Sequence, residues 1–143
     1  MAIKSYEDLD VWQKSIDMVA EIYKVVKKLP REELYGLSDQ IRRAAVSVPS
    51  NIAEGQQRQS TKDYIKFLSI AKGSLGELKT QIIICERLGY LNPNETGSIK
   101  YNIDVIGRML NGLIHNLYIK QQNEANRTNQ APSPKPQDPK GLS

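Results

Sequence analysis

An all-α fold, an antiparallel up-down-up-down four-helix bundle, is what the sequence predicts, and three observations predict it. Apolar residues recur at three- and four-residue steps along four stretches of the chain. No stretch shows the period-two alternation of a half-buried strand. The links between the stretches are short, which forces consecutive helices to lie antiparallel. Each helix is expected to run about 20 to 28 residues, or about 30 to 42 Å.

The first stretch places Leu9, Trp12, Ile16, Val19, Tyr23 and Val26 on one face, with Asp17, Glu21, Lys24 and Lys28 opposite, and Pro30 ends it. The second carries Leu34, Leu37, Ile41, Ala44, Ala45, Val48 and Ile52; Pro49 within it removes a backbone donor and is expected to kink the helix, and Gly55 marks a break or a weak point. The third opens on Ser60, three residues before Asp63, a variant capping box. Its face is Tyr64, Phe67, Leu68, Ala71, Leu75, Leu78, Ile82, Cys85 and Leu88, and Gly89 follows at the place of a left-handed cap. Asn92-Pro93 reads as a cap and first residue of the fourth helix, although Gly97 moves its firm start nearer Ser98. That helix packs Ile99, Ile103, Ile106, Leu110, Leu113 and Leu117.

Composition bounds the rest. At 143 residues, with 39% apolar and 25% charged residues, the chain is sized for one self-sufficient core. The bundle is expected over residues 1–122, and a disordered Pro-rich tail over 123–143, where four prolines and no aromatic or β-branched apolar residue leave too little surface to bury. Pro132, Pro134 and Pro136 alternate in that tail, leaving a docking motif as the second reading of it. No apolar run reaches membrane-spanning length, the N-terminus is too polar for a signal peptide, and a lone cysteine fits a reducing compartment. A cytoplasmic protein without a membrane partner is therefore expected.

Catalytic arrangements are missing. His115 is the single histidine, so neither a paired-histidine metal site nor the Glu-x-x-His repeat of a di-iron bundle can form. Cys85 lies on an apolar stripe with nothing nearby in sequence to lower its pKa. Gly73-Ser74-Leu75-Gly76 sits within a helical pattern and lacks the Gly-Lys-Ser/Thr of a phosphate loop. The expectation is a non-enzymatic protein with no catalytic residue, no metal and no cofactor.

Three features point to partners instead. The block from Gln40 to Gly55 gathers Pro49, Ser50, Asn51, Glu54 and Gly55, which either stabilise a kink and its neighbours or form a polar contact site. Arg42, Arg43, Arg58, Lys62, Lys66 and Lys72 surround the second-to-third helix link and are candidate phosphate contacts, with an ordinary solvated face as the alternative. The net charge of +4 permits an anionic partner without demanding one. Apolar residues off the main stripes, namely Ile22, Val25, Ile83, Ile84, Val105, Met109 and Ile114, point to a second interface or a wide core; Ile83, Ile84 and Met109 are the candidate oligomer contacts.

The stretches Tyr6-Glu7-Asp8-Leu9-Asp10-Val11-Trp12-Gln13, Leu29-Pro30 with Glu33-Leu34-Tyr35-Gly36-Leu37, and the whole Gln40–Gly55 block carry a further pattern, with Phe67–Leu78 and Leu88-Gly89-Tyr90-Leu91. Over residues 6 to 118 the chain resembles the bacterial four-helix bundle family encoded in intervening sequences of 23S ribosomal RNA genes. Tyr6 departs from the family pattern, which often has phenylalanine there. The resemblance implies an antiparallel bundle assembling into a ring-like homopentamer, with a suggested role in binding nucleic acid. It also implies kinship with the accessory subunits of diversity-generating retroelements, which share the bundle and pentamer and bind a reverse transcriptase and its template RNA. No catalytic motif carries over from either group.

Overall fold

The computed structural model describes residues 5–130. Among the described residues there are four α-helices: α1 (Asp10–Val26), α2 (Leu37–Gln56), α3 (Thr61–Arg87) and α4 (Pro93–Gln130). Short 3-10 turns at Tyr6–Asp8 and Arg31–Glu33 precede α1 and α2. Helices consecutive in the chain pack side by side, α4 closes the ring against α1, and the diagonal pairs face each other only across the core. This is the up-down-up-down bundle, and no strand occurs among the described residues.

The helix ends follow the local chemistry of the chain. Ser60 Oγ accepts from Asp63 N at 3.1 Å and starts α3. Its other end is a full Schellman closure: Gly89 takes φ +77°, its N–H donates to Glu86 O, and Tyr90 N donates to Cys85 O. Asn92 then caps α4 reciprocally, with Glu95 N donating to Asn92 Oδ1 and Asn92 N to Glu95 Oε1. That double bond starts α4 firmly at Pro93, ahead of the Ser98 start expected from Gly97. The first turn of α2 is held by Glu33, whose carboxylate accepts from Leu37 N at 3.2 Å.

The core contains Ile22, Ile41, Val48, Ile52, Leu68, Leu78, Ile82, Ile99, Ile106 and Leu110, so three of the four expected faces are largely the buried ones. The exceptions lie at the ends: Leu34 precedes α2 and is exposed, and Leu88, at the close of α3, is also exposed.

The first helix is turned from the expected orientation. Its buried residues are Val11, Ser15, Met18, Ile22, Val25 and Val26, whereas Ile16 and Tyr23 are exposed and Trp12 and Val19 half-buried. Ile22 and Val25, expected to lie off the stripe, are core. Ser15 is tolerated inside because its hydroxyl donates to Trp12 O at 2.7 Å.

Gly55 lies buried in the last turn of α2, one residue before the helix ends at Gln56, and Pro49 lies inside the same helix, as its place in the apolar pattern predicts. The fourth helix passes the expected boundary at Asn123 and reaches Gln130. Asn102 Nδ2 donates to Glu21 Oε1 at 3.1 Å, which fixes the α1–α4 register. In that register α4 extends roughly 25 Å beyond the first residue of α1. The proline-rich residues 131–143 lie outside the described residues.

Candidate interaction surfaces

The polar residues of the Gln40–Gly55 block make contacts within α2 and from α2 to α3. Asn51 Nδ2 donates to Ser47 O at 2.8 Å and to Ser47 Oγ at 2.9 Å. Ser47 Oγ in turn shares a hydrogen bond with Ser74 Oγ at 2.7 Å, tying α2 to α3. Glu54 pairs with Arg58 at 2.8 Å. Gly55 admits the third helix: a Cβ there would lie 2.9 Å from Phe67 Cβ. Burial beneath this contact pushes the Tyr64 phenol above its usual pKa. Pro49 and Ser50, by contrast, face a groove.

The six candidate cations do not form one patch. Arg42 and Arg43 stand at least about 20 Å along α2 from Arg58. Arg43 is paired with Asp39 at 2.9 Å, and Arg42 lies over the Tyr23 ring, 5.9 Å from its centroid. Arg58, besides its pairing with Glu54, lies 4.8 Å from the centroid of Phe67. Lys62 and Lys66 are exposed near the start of α3. Lys72 is also exposed but turns toward α4, where it lines a groove of about 250 Å³ with Lys79, Gly76, Asp104, Gly107, Arg108 and Asn111. Lys79 pairs with Asp104 at 2.8 Å across this groove. Lys72 and Arg108 have no ion-pair partner among the described residues.

Lys79 and Arg108 were missing from the sequence-based set. Their signal was available: if α3 and α4 are antiparallel, Lys79 opposite Asp104 also brings Lys72 alongside Asn111 and Arg108. The candidate oligomer residues separate as well. Ile84 is 40% exposed and Ile83 half-buried on α3. Met109 packs against the core, seven residues beyond Asn102 and so on the α1 side of α4.

A second groove lies across the bundle, between α1 and α2. Tyr6, Trp12, Ile16, Val19, Ala20, Tyr23, Val46, Pro49, Ser50 and Ala53 line about 520 Å³. Its side chains are apolar apart from the hydroxyls of Tyr6, Tyr23 and Ser50 and the indole N–H of Trp12. The Tyr6 and Trp12 rings meet at 5.2 Å between centroids with a 60° tilt. At the Tyr23 end it adjoins a polar pocket of about 500 Å³ that includes Asp39, Arg42, Arg43 and Ser47.

The helix ends opposite Tyr6 are joined by polar contacts. Lys28 Nζ reaches Glu95 Oε2 at 2.7 Å, and the Tyr90 hydroxyl donates to Glu33 Oε2 at 2.9 Å. The Glu86 carboxylate accepts from both Lys100 and Thr96. Those two bonds hold Glu86 below the usual carboxylate range, and the Lys28 and Asn92 bonds do the same for Glu95. The Cys85 thiol is buried beside Glu33 and Glu86, and burial chiefly pushes its pKa up to about 11. It is a neutral packing group at physiological pH, the opposite of an activated nucleophile.

No group of three or more His, Cys, Asp or Glu residues among those described is arranged to hold a metal ion. No helix among the described residues is long and apolar enough to cross a membrane.

Comparison with known proteins gives two findings. Residues 7–112 match the family described as 23S rRNA-intervening sequence protein. The fold is similar to a crystal structure of a protein of unknown function from the S23 ribosomal protein family of Bacteroides thetaiotaomicron, with TM-score 0.68 and 30% identity, over 73% of this chain and 97% of that one. No curated protein matches.

Proposed function

The chain belongs to the 23S rRNA-intervening sequence protein family, and from that premise we propose that it is a non-enzymatic, cytoplasmic scaffold that self-assembles and binds structured RNA. The observation that carries the RNA reading is the α3–α4 groove. Lys72 and Arg108 project into it without a carboxylate partner among the described residues, and Lys79 adds a third cation that shares its charge with Asp104. Gly76 has no neighbour within 4 Å of where a Cβ would stand, and at Gly107 the nearest atom is Leu75 Cδ1 at 3.9 Å. The groove floor therefore leaves room for a sugar-phosphate backbone between the cations. Tyr118 is exposed further along α4, as an aromatic surface for an unstacked base.

Self-assembly, as the family's homopentamer, is supported by Ile84 and its half-buried neighbour Ile83, which leave apolar surface on the outer side of α3. The second role in this family circle, an accessory subunit that binds a reverse transcriptase and its template RNA, is distinguished by gene order. A reverse-transcriptase gene and a template repeat beside this gene would favour it.

The test is a binding titration with a structured hairpin RNA from about 50 to about 200 mM salt. Affinity should fall steeply with salt. Lys72→Glu with Arg108→Glu should weaken binding at least about ten-fold and lower the salt slope by roughly one per lost phosphate contact. The pair Lys62→Glu and Lys66→Glu reports whether the surface reaches the start of α3. Absence of binding by the unmodified protein at low salt would end the RNA reading.

A further inference from the structure

The α1–α2 groove is on the face of the bundle opposite the cationic one, and nothing in the RNA reading uses it. Trp12, Ile16, Val19 and Tyr23 follow one another along α1, and Val46, Pro49 and Ala53 along α2, so two apolar ridges flank a furrow. Ile16 is 38%, Tyr23 43% and Val46 39% exposed, although Met18, Ile22, Val25, Ala45 and Val48 already fill the inward side of the same helices. The furrow is therefore apolar surface beyond what the core requires.

Its length and its charge narrow the occupant. From Trp12 to Tyr23 α1 rises about 16 Å, three helical turns. At the Tyr23 end the lining turns polar and carries Arg42 and Arg43. Asp39 offsets Arg43, while Arg42 rests over Tyr23 and makes one long contact, 3.4 Å, to the carbonyl of Leu34. One cation at that end is left without a carboxylate among the described residues.

We propose that the α1–α2 groove docks an amphipathic helix of another protein, about three turns long, with apolar anchors at i, i+3 or i+4, and i+7 and acidic residues at the end that meets Arg42 and Arg43. The anchors fill the furrow beside Ile16, Val19 and Val46. The acidic end then supplies the carboxylate that Arg42 lacks, and fixes which way round the helix lies.

Trp12 is the single tryptophan of the chain and lines this groove, so its emission reports occupancy. The full chain is titrated with synthetic amphipathic helical peptides free of tryptophan. One set carries a Glu pair at either terminus, a matched set carries Lys pairs there, and a third has its apolar residues scrambled. One of the Glu peptides should shift Trp12 emission to the blue and saturate, and its Lys counterpart should bind at least about ten-fold more weakly, the factor expected for about 1.4 kcal/mol of charge preference. Arg42→Ala with Arg43→Ala should erase that preference. Ile16→Asp should abolish the shift with helicity unchanged, and Val46→Asp repeats the test should Ile16→Asp unfold.

Three results overturn the proposal: no saturable shift with either Glu peptide, equal affinity for Glu and Lys peptides, or full binding by the scrambled peptides. A fourth does so as well: a Trp12 shift that follows protein concentration alone, together with rising mass in light scattering, would show that a second copy fills the groove. None of these results depends on RNA.

Discussion

Gly55 sits at a close approach of α2 to α3. A Cβ at this position would stand 2.9 Å from Phe67 Cβ, 3.0 Å from Tyr64 Cδ1 and 3.2 Å from Tyr64 O. Two effects of Gly55→Ala oppose each other. Helix propensity favours alanine by about 1 kcal/mol, while overpacking a filled contact costs about 1 to 3 kcal/mol. Backbone and Cβ atoms cannot swing aside as the tip of a long side chain can, so the clash should win. The variant is expected to unfold at lower urea than the parent, and an equal or higher midpoint would show that the helices can separate freely there. The sequence exposes only half of this. A glycine near the end of a helical pattern reads as a weak point because its own propensity is low; the neighbouring helix that requires it is visible only in three dimensions. The same limit applies to the cations: Lys72 was legible as exposed charge, but its turn toward Arg108 rather than toward Lys66 depends on the register between α3 and α4.

Among the elements, α1 shows most clearly what periodicity can and cannot tell. It carries two apolar stripes, one through Trp12, Ile16, Val19 and Tyr23 and one through Val11, Met18, Ile22 and Val25. Ser15 interrupts the second, so the first looks the better core face, yet the second is the buried one. Spacing identifies an apolar face; only the packing partners decide which of two faces points inward. α2, α3 and α4 each have one dominant stripe, and there the expected faces and the buried faces largely coincide. The caps of α3 and α4 were legible for a different reason, since Ser60, Gly89 and Asn92-Pro93 act within a few residues of themselves. Spare apolar surface on α3 leads to a prediction at this scale. Ile83→Ser with Ile84→Ser should lower the mass seen by light scattering without loss of helicity, because a polar pair on an outward face disturbs association more than the core. Unchanged mass would remove this face from the proposed self-assembly.

Taken as one body, the bundle has its two grooves along its length and a cluster of polar ties at one end. There Lys28–Glu95 and Tyr90–Glu33 join the α1–α2 link to the α3–α4 link, and Lys100–Glu86–Thr96 ties the end of α3 to the start of α4. Glu86 and Glu95 both have pKa values below the ordinary 4.5. A carboxyl lowered in the folded state stabilises fully above its unfolded value, and that contribution fades as pH falls through the lowered value. Tyr90 is the reverse case. Its hydrogen bond to Glu33 raises the phenol above 10, so its contribution is complete below the unfolded value and is lost as pH climbs through the raised one. The double variant Glu86→Gln, Glu95→Gln should therefore melt below the parent at neutral pH. The gap in Tm should narrow as pH drops through the acid range under 4.5, where the parent's carboxylates take up protons and the variant has none there to titrate. Tyr90→Phe should show the opposite pattern, a gap held through neutral pH that closes above 10. Melting curves followed by circular dichroism across the full range check both limbs. A gap that stays constant in acid would mean that these contacts are present in the fold but do not hold its end together.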